Sequence, residues 1–171
     1  MRTKTFSLIL MTAALLCTGT GCNTVGADSD TVTVWLNQLR VTMELSERAV
    51  APGDELTVTI RLHNRSNQPL QLVTAKPVIA GYYVKQDDDI IPFEGTLLML
   101  PGLIGNFEIG GSETLTFTHP ITARLQQTDP ETGEPVPAQA GWYTLLAVPT
   151  IISINGEPGH LPELAQTFRV R

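Results

Sequence analysis

LRVTMELS at residues 39–46 and LTVTIRLH at residues 56–63 are the stretches that decide the fold. Leu39, Val41, Met43 and Leu45 alternate with Arg40, Thr42, Glu44 and Ser46. In the second stretch Leu56, Val58, Ile60 and Leu62 alternate with Thr57, Thr59, Arg61 and His63. Successive side chains of an extended chain point to opposite faces, so these period-two patterns predict two strands, each with one buried face. Ala51-Pro52-Gly53-Asp54 lies between them and reads as a turn, with Pro presetting φ and Gly free to take a positive one.

The same grammar runs on toward the C-terminus. Residues 64–69 (NRSNQP) form a turn before a short strand at residues 70–74. Residues 78–85, with Tyr82 and Tyr83, read as a strand turned by Asp87-Asp88-Asp89 into residues 90–93. Gly110-Gly111-Ser112 precedes Leu115 and Phe117, which are flanked by Thr114, Thr116 and Thr118. Gly141 opens WYTLLAV at residues 142–148, and Thr167-Phe168-Arg169-Val170 closes the chain. Residues 31–39 admit two readings, because Val32, Trp35, Leu36 and Leu39 also fit one helical face. The Thr and Val of the first half favour a strand. Elsewhere no segment holds a 3.6-residue period. Many short strands with regular turn signals predict an all-β protein built as a β-sandwich.

Ahead of this domain the chain carries export signals. Arg2 and Lys4 precede an apolar run at residues 6–16 (FSLILMTAALL), too short to span a bilayer. Thr18-Gly19-Thr20-Gly21 then leads into Cys22. That order of parts is a secretory signal peptide over residues 1–21. The small residues before Cys22 resemble a bacterial lipoprotein processing site, at which the thiol is acylated and becomes the mature N-terminus. Gly19 stands where that pattern prefers Leu. Cys17, directly preceded by Leu15 and Leu16, fits it less well. The expectation is a lipid on Cys22, a polar tether over residues 22–30 (CNTVGADSD) and a single domain over residues 31–171, with ordinary secretion as the alternative. Asn23, in place of Asp, resembles lipoproteins passed on to the outer membrane in diderm bacteria.

Composition narrows the partners. The chain has 11 Lys and Arg against 17 Asp and Glu. Without Arg2 and Lys4 the balance is 9 against 17, a net charge of −8. No basic stripe remains, which argues against nucleic acid and against electrostatic docking on anionic lipid. Both cysteines lie at or before position 22, so the domain folds without an internal disulfide. About 150 residues suffice for that, since a chain of this size buries roughly 68–70% of its unfolded surface.

No catalytic constellation stands out. His63, His119 and His160 are scattered, read as surface residues, and belong to no HExxH-type motif. No cysteine is left in the domain to pair with a histidine, and no serine sits in a G-x-S-x-G turn. Asp87-Asp88-Asp89 alternates in direction, so at most two carboxylates face one ion, and it reads as a solvated hairpin tip. Residues 129–134 (DPETGE) read as a long exposed loop. No metal and no cofactor is expected.

Two segments carry the interaction signal. Residues 96–104 (TLLMLPGLI) are apolar without alternation, which fits either a buried strand or an apolar loop open to a partner. Leu98, Leu100, Leu103 and Ile104 are its candidate partner-binding residues. In WYTLLAV, Trp142 is the favoured core anchor, in register with Thr144, Leu146 and Val148. Tyr143, Leu145 and Ala147 form the rival inward face, and a strand covered on both faces fits the run as well.

The stretches APGDELTVTIRLHNRSNQPLQL (51–72), IGGSETLTFTH (109–119) and PAQAGWYTLLAV (137–148), with the Tyr-bearing strand between them, resemble immunoglobulin-like extracellular domains. Their order is similar to the bacterial intracellular proteinase inhibitor family, where a Pro-Gly or Gly-Gly turn starts a strand and a G-x-Y-x-(L/V)-x-A strand follows. The likeness spans residues 39–170. It implies an immunoglobulin-like β-sandwich of about seven to nine strands. The family name implies protease inhibition, yet no residue matches a reactive-site motif and the export signal points away from an intracellular role. The expected function is therefore a non-enzymatic envelope lipoprotein that binds or helps assemble a protein partner. The alternative is an inhibitor presenting residues 128–140 or 96–106 to a subtilisin-like protease.

Overall fold

The computed structural model describes residues 31–96 and 104–171, and every regular element among them is a strand. The signal peptide, Cys22, the tether and Leu98, Leu100 and Leu103 lie outside the described residues. The first sheet runs β1 (Thr31–Leu36), β2 (Leu39–Leu45), β4 (Glu55–Asn64) and β10 (Thr114–Thr128), with β8 (Phe93–Glu94) and β11 (Pro135–Pro137) both paired to β10. The second runs β3 (Ala49–Val50), β15 (Leu164–Val170), β12 (Gly141–Pro149), β6 (Ala80–Gln86) and β7 (Asp89–Ile91). A third, smaller sheet runs β14 (Glu157–Pro158), β13 (Ile151–Ile154), β5 (Leu70–Thr74) and β9 (Gly105–Ile109).

This order is an immunoglobulin-like β-sandwich. β2, β4 and β10 stand where the A, B and E strands of such a sandwich stand, and β15, β12 and β6 where G, F and C stand. The pairing of β3 with β15 is parallel, and the other pairings are antiparallel. Among the described residues nine strands have five residues or more: β1, β2, β4, β5, β6, β9, β10, β12 and β15. Residues 31–36 are extended, and Asn37, at φ 53°, turns them back onto β2.

One hydrophobic core draws on all three sheets. β2 gives it Leu39, Val41, Met43 and Leu45, and β4 gives Leu56, Val58, Ile60 and Leu62, the apolar phases read from the sequence. At its centre Tyr143 and Phe168 stack with ring centroids 5.7 Å apart, and Phe93 meets Tyr143 edge-on at 5.3 Å. The Tyr143 hydroxyl donates to the Gln139 carbonyl oxygen at 2.9 Å, closing a tyrosine corner where the chain enters β12. Leu145, two residues on, holds the position at which antibody domains place a disulfide cysteine. It is fully buried, so apolar packing does the work of that bridge.

Three expectations need correction. Trp142 is 63% exposed and Tyr143 only 2%, so Tyr143 is the anchor. The phase of β12 is fixed by Leu145 and Ala147, which neighbour the core, and by the hydroxyl's bond at the corner. His119 is half-buried and not a free surface residue. Leu115, Phe117, Ile121 and Ala123 set the inward phase of β10, and His119 shares it, stacking on Tyr82 at 4.8 Å with the rings 3° from parallel. Residues 129–134 are an exposed connection as expected, but a short one closed into a turn: the Asp129 carboxylate accepts from Glu131 N and Thr132 N, and Gly133 N donates to Asp129 O.

Candidate functional site

β12 is unusual among the strands in being apolar on both sides. Inward, Tyr143, Leu145 and Ala147 enter the core. On the other side of the strand Trp142 is exposed, Val148 is half-buried and Leu146 is buried beneath its neighbours. Antiparallel register brings neighbours to that strip: Tyr83 of β6 is opposite Leu146, Lys85 is opposite Thr144, and Ile90 of β7 is opposite Lys85. On the other flank Arg169 of β15 is opposite Trp142, its guanidinium carbon 5.9 Å from the ring centroid. Tyr83, Lys85, Ile90, Leu146, Val148 and Glu163 line a depression of about 300 Å³ on this face.

The outer face of the first sheet is its opposite in chemistry. Its outward positions on β2, β4 and β10 are Arg40, Thr42 and Glu44, then Thr57, Thr59, Arg61 and His63, then Thr114, Thr116 and Thr118. A solvated sheet face normally carries such residues, so the aromatic and aliphatic outer face of the second sheet is the one that calls for a covering partner.

The candidates at residues 96–104 fare unevenly. Thr96 is buried, its N–H donating to Phe93 O at 3.1 Å, whereas Ile104, just before β9, is 64% exposed. Leu98, Leu100 and Leu103 fall outside the described residues. The histidines are not brought together. His63 lies on the outer face of β4 with Nδ1 3.0 Å from Thr114 Oγ1, His119 lies between the sheets with Nε2 bonded to Gly95 O, and His160 is an exposed loop residue. Among the described residues no three His, Asp or Glu side chains are placed to share a metal ion. The outward apolar strip had a sequence signal in the seven-residue run 142–148, which lacks alternation, but nothing in that run says which half faces solvent.

No protein-family model matches this chain, and no curated protein sequence does. Among solved structures it is similar to a β-glucosidase from Erythrobacter marinus, with TM-score 0.46 and 10% identity over 81% of this chain and 16% of that one. It is similar to the α-2-macroglobulin of E. coli with TM-score 0.46 and 16% identity over 77% of this chain and 6% of that one. A third similarity is to Spo0M, a sporulation control protein from Bacillus subtilis, with TM-score 0.35 and 16% identity over 79% of this chain and 49% of that one. The chain thus spans a small part of the first two proteins. At such scores none of their activities carries over.

Proposed function

We propose that the protein is a non-enzymatic module of the bacterial cell envelope, anchored by an acyl group on Cys22, that binds a partner protein through the outer face of its second sheet. The supporting observation is that this face exposes Trp142, with Arg169 beside it, and Ile90, on the rim of a depression that Tyr83, Val148 and the buried Leu146 also line. Aromatic side chains and arginine around an apolar centre are the composition of a binding hot spot. Anchoring rests on the signal architecture, and Asn23 favours the outer membrane where a cell has two.

A photo-crosslinking amino acid at position 83, compared in intact cells with one at position 116 on the opposite sheet, tests the surface. The expected result is one dominant adduct from position 83 alone, lost in Trp142→Ala while the thermal unfolding midpoint stays put. Equal adducts from both positions, or none from position 83, overturn it. In the same cells a clickable fatty acid labels the wild type and not Cys22→Ser, and a label that persists in the variant removes the anchor.

Protease inhibition through residues 128–140 is less well supported. Asp129 N donates to Glu134 O and Gly133 N to Asp129 O, so the tip spends on itself backbone groups that an extended inhibitory loop offers to a protease cleft.

A further inference from the structure

The first sheet's outer face concentrates cations in a chain that is acidic as a whole. Antiparallel register sets Trp35, Arg40, His63 and Thr114 in one row across four strands. The next row on the same face is Thr33, Thr42, Arg61 and Thr116. The Arg65 guanidinium, from the turn after β4, lies 5.0 Å from the Trp35 ring centroid, and that of Arg40 lies 5.9 Å from it. Arg61 is paired with Glu44 on the same face. Among the described residues no carboxylate pairs with Arg40 or Arg65. A groove of about 340 Å³ on this face is lined by Thr31, Thr33, Thr42, Thr114, Arg61 and His63, and it shares Arg40 with the cluster around Trp35.

Two guanidiniums gathered at one indole repel each other, and an anion placed between them relieves that repulsion through charge-assisted hydrogen bonds. The surroundings narrow the anion. Trp35 is 49% exposed, a flat apolar surface for which a bare phosphate or sulfate has no use. The threonine hydroxyls both donate and accept, as sugar hydroxyls do. Over this face the backbone is consumed by the sheet ladder, and an acidic peptide finds a strand to pair with only along the outer edge of β1, off the face itself. We infer that the outer face of the first sheet binds a carboxylated sugar, a hexuronate unit of an anionic polysaccharide, with its carboxylate on Arg40 and Arg65 and its ring over Trp35. This site is separate from the partner surface on the second sheet and stands or falls without it.

Calorimetry on the full chain in non-ionic detergent, titrated with trigalacturonate, tests the inference. Saturable binding is expected that weakens as salt rises and that Arg40→Ala and Trp35→Ala each reduce by about tenfold. Arg65→Ala, a change in an exposed turn, reduces it likewise and guards against loss through unfolding, which a thermal melt of each variant checks. Lys76→Ala removes a cation elsewhere and leaves binding unchanged, as does Trp142→Ala on the other sheet. Absence of binding, equal binding of neutral galactose trimer, or an equal loss in Lys76→Ala overturns the proposal. So does Arg40-dependent binding of phosphatidylglycerol vesicles or inorganic phosphate in place of the sugar.

Discussion

Asn64, the last residue of β4, is fully buried and spends its amide on backbone groups and on the Ser66 hydroxyl. Its Nδ2 donates to Gln68 O at 2.7 Å, Gly110 O at 3.0 Å and Ile109 O at 3.1 Å, while Oδ1 accepts from Ser66 N at 2.9 Å. One side chain thus ties the turn after β4 to the turn before β10. Asn64→Ala strands those carbonyls without a donor and is expected to cost about 3 kcal/mol in urea unfolding. Asn64→Asp, nearly the same in shape, turns donor into anion among carbonyl oxygens and costs at least as much. Tyr82 is also buried, and burial pushes its hydroxyl up to about 12 from an ordinary value of 10.0. Since the unfolded chain gives up this proton first, the contribution of Tyr82 is complete below pH about 10 and is lost as the pH climbs to about 12, by up to about 3 kcal/mol. Wild type and Tyr82→Phe compared by urea unfolding across that window isolate the effect, because the variant lacks this component of the slope. At this scale the sequence was a poor guide: Asn64 and His119 look like any polar residue beside a turn until the neighbouring strands arrive.

Among the elements, β12 shows what periodicity does and does not reveal. Its apolar run predicts a strand near the centre of a sheet, and it pairs with β15 on one side and β6 on the other. The run cannot say which half faces inward, since both halves hold an aromatic and a large aliphatic residue. The tyrosine corner and the Phe93–Tyr143–Phe168 cluster decide it. Tyr143→Phe keeps the ring packing and loses the bond to Gln139 O, so it is expected to lower unfolding free energy by about 1 kcal/mol, measured by denaturant titration with an unchanged slope. β13 and β14 make the opposite case. Asn155 and Gly156, both at positive φ (51° and 83°), turn Ile154 back onto Glu157, and an Asn-Gly pair after an apolar run is a direct hairpin signal. β9 and the register shifts along β10 leave no comparable trace, because they answer to strands far away in sequence.

For the whole molecule, a chain of net charge −6 folds its described residues into three sheets around one apolar core with no covalent staple. The two broad outer faces differ in kind, one threonine-rich and cationic, the other aromatic and aliphatic. Alternation at residues 39–46 and 56–63, the turn residues between strands, and the lack of a helical period determined by themselves that the domain, in its described residues, is all-β and layered. The sequence likewise held the inward phases of β2 and β4, where polar and apolar residues segregate cleanly. Only the tertiary structure decided that Tyr143 is core and Trp142 is not, that His119 sits between the sheets, and that Trp35, Arg40 and Arg65 meet on one face. Phase within a strand is local and can be read along the chain. Which strands become neighbours depends on closing long loops over a shared core, and a surface assembled from four strands exists only once they have.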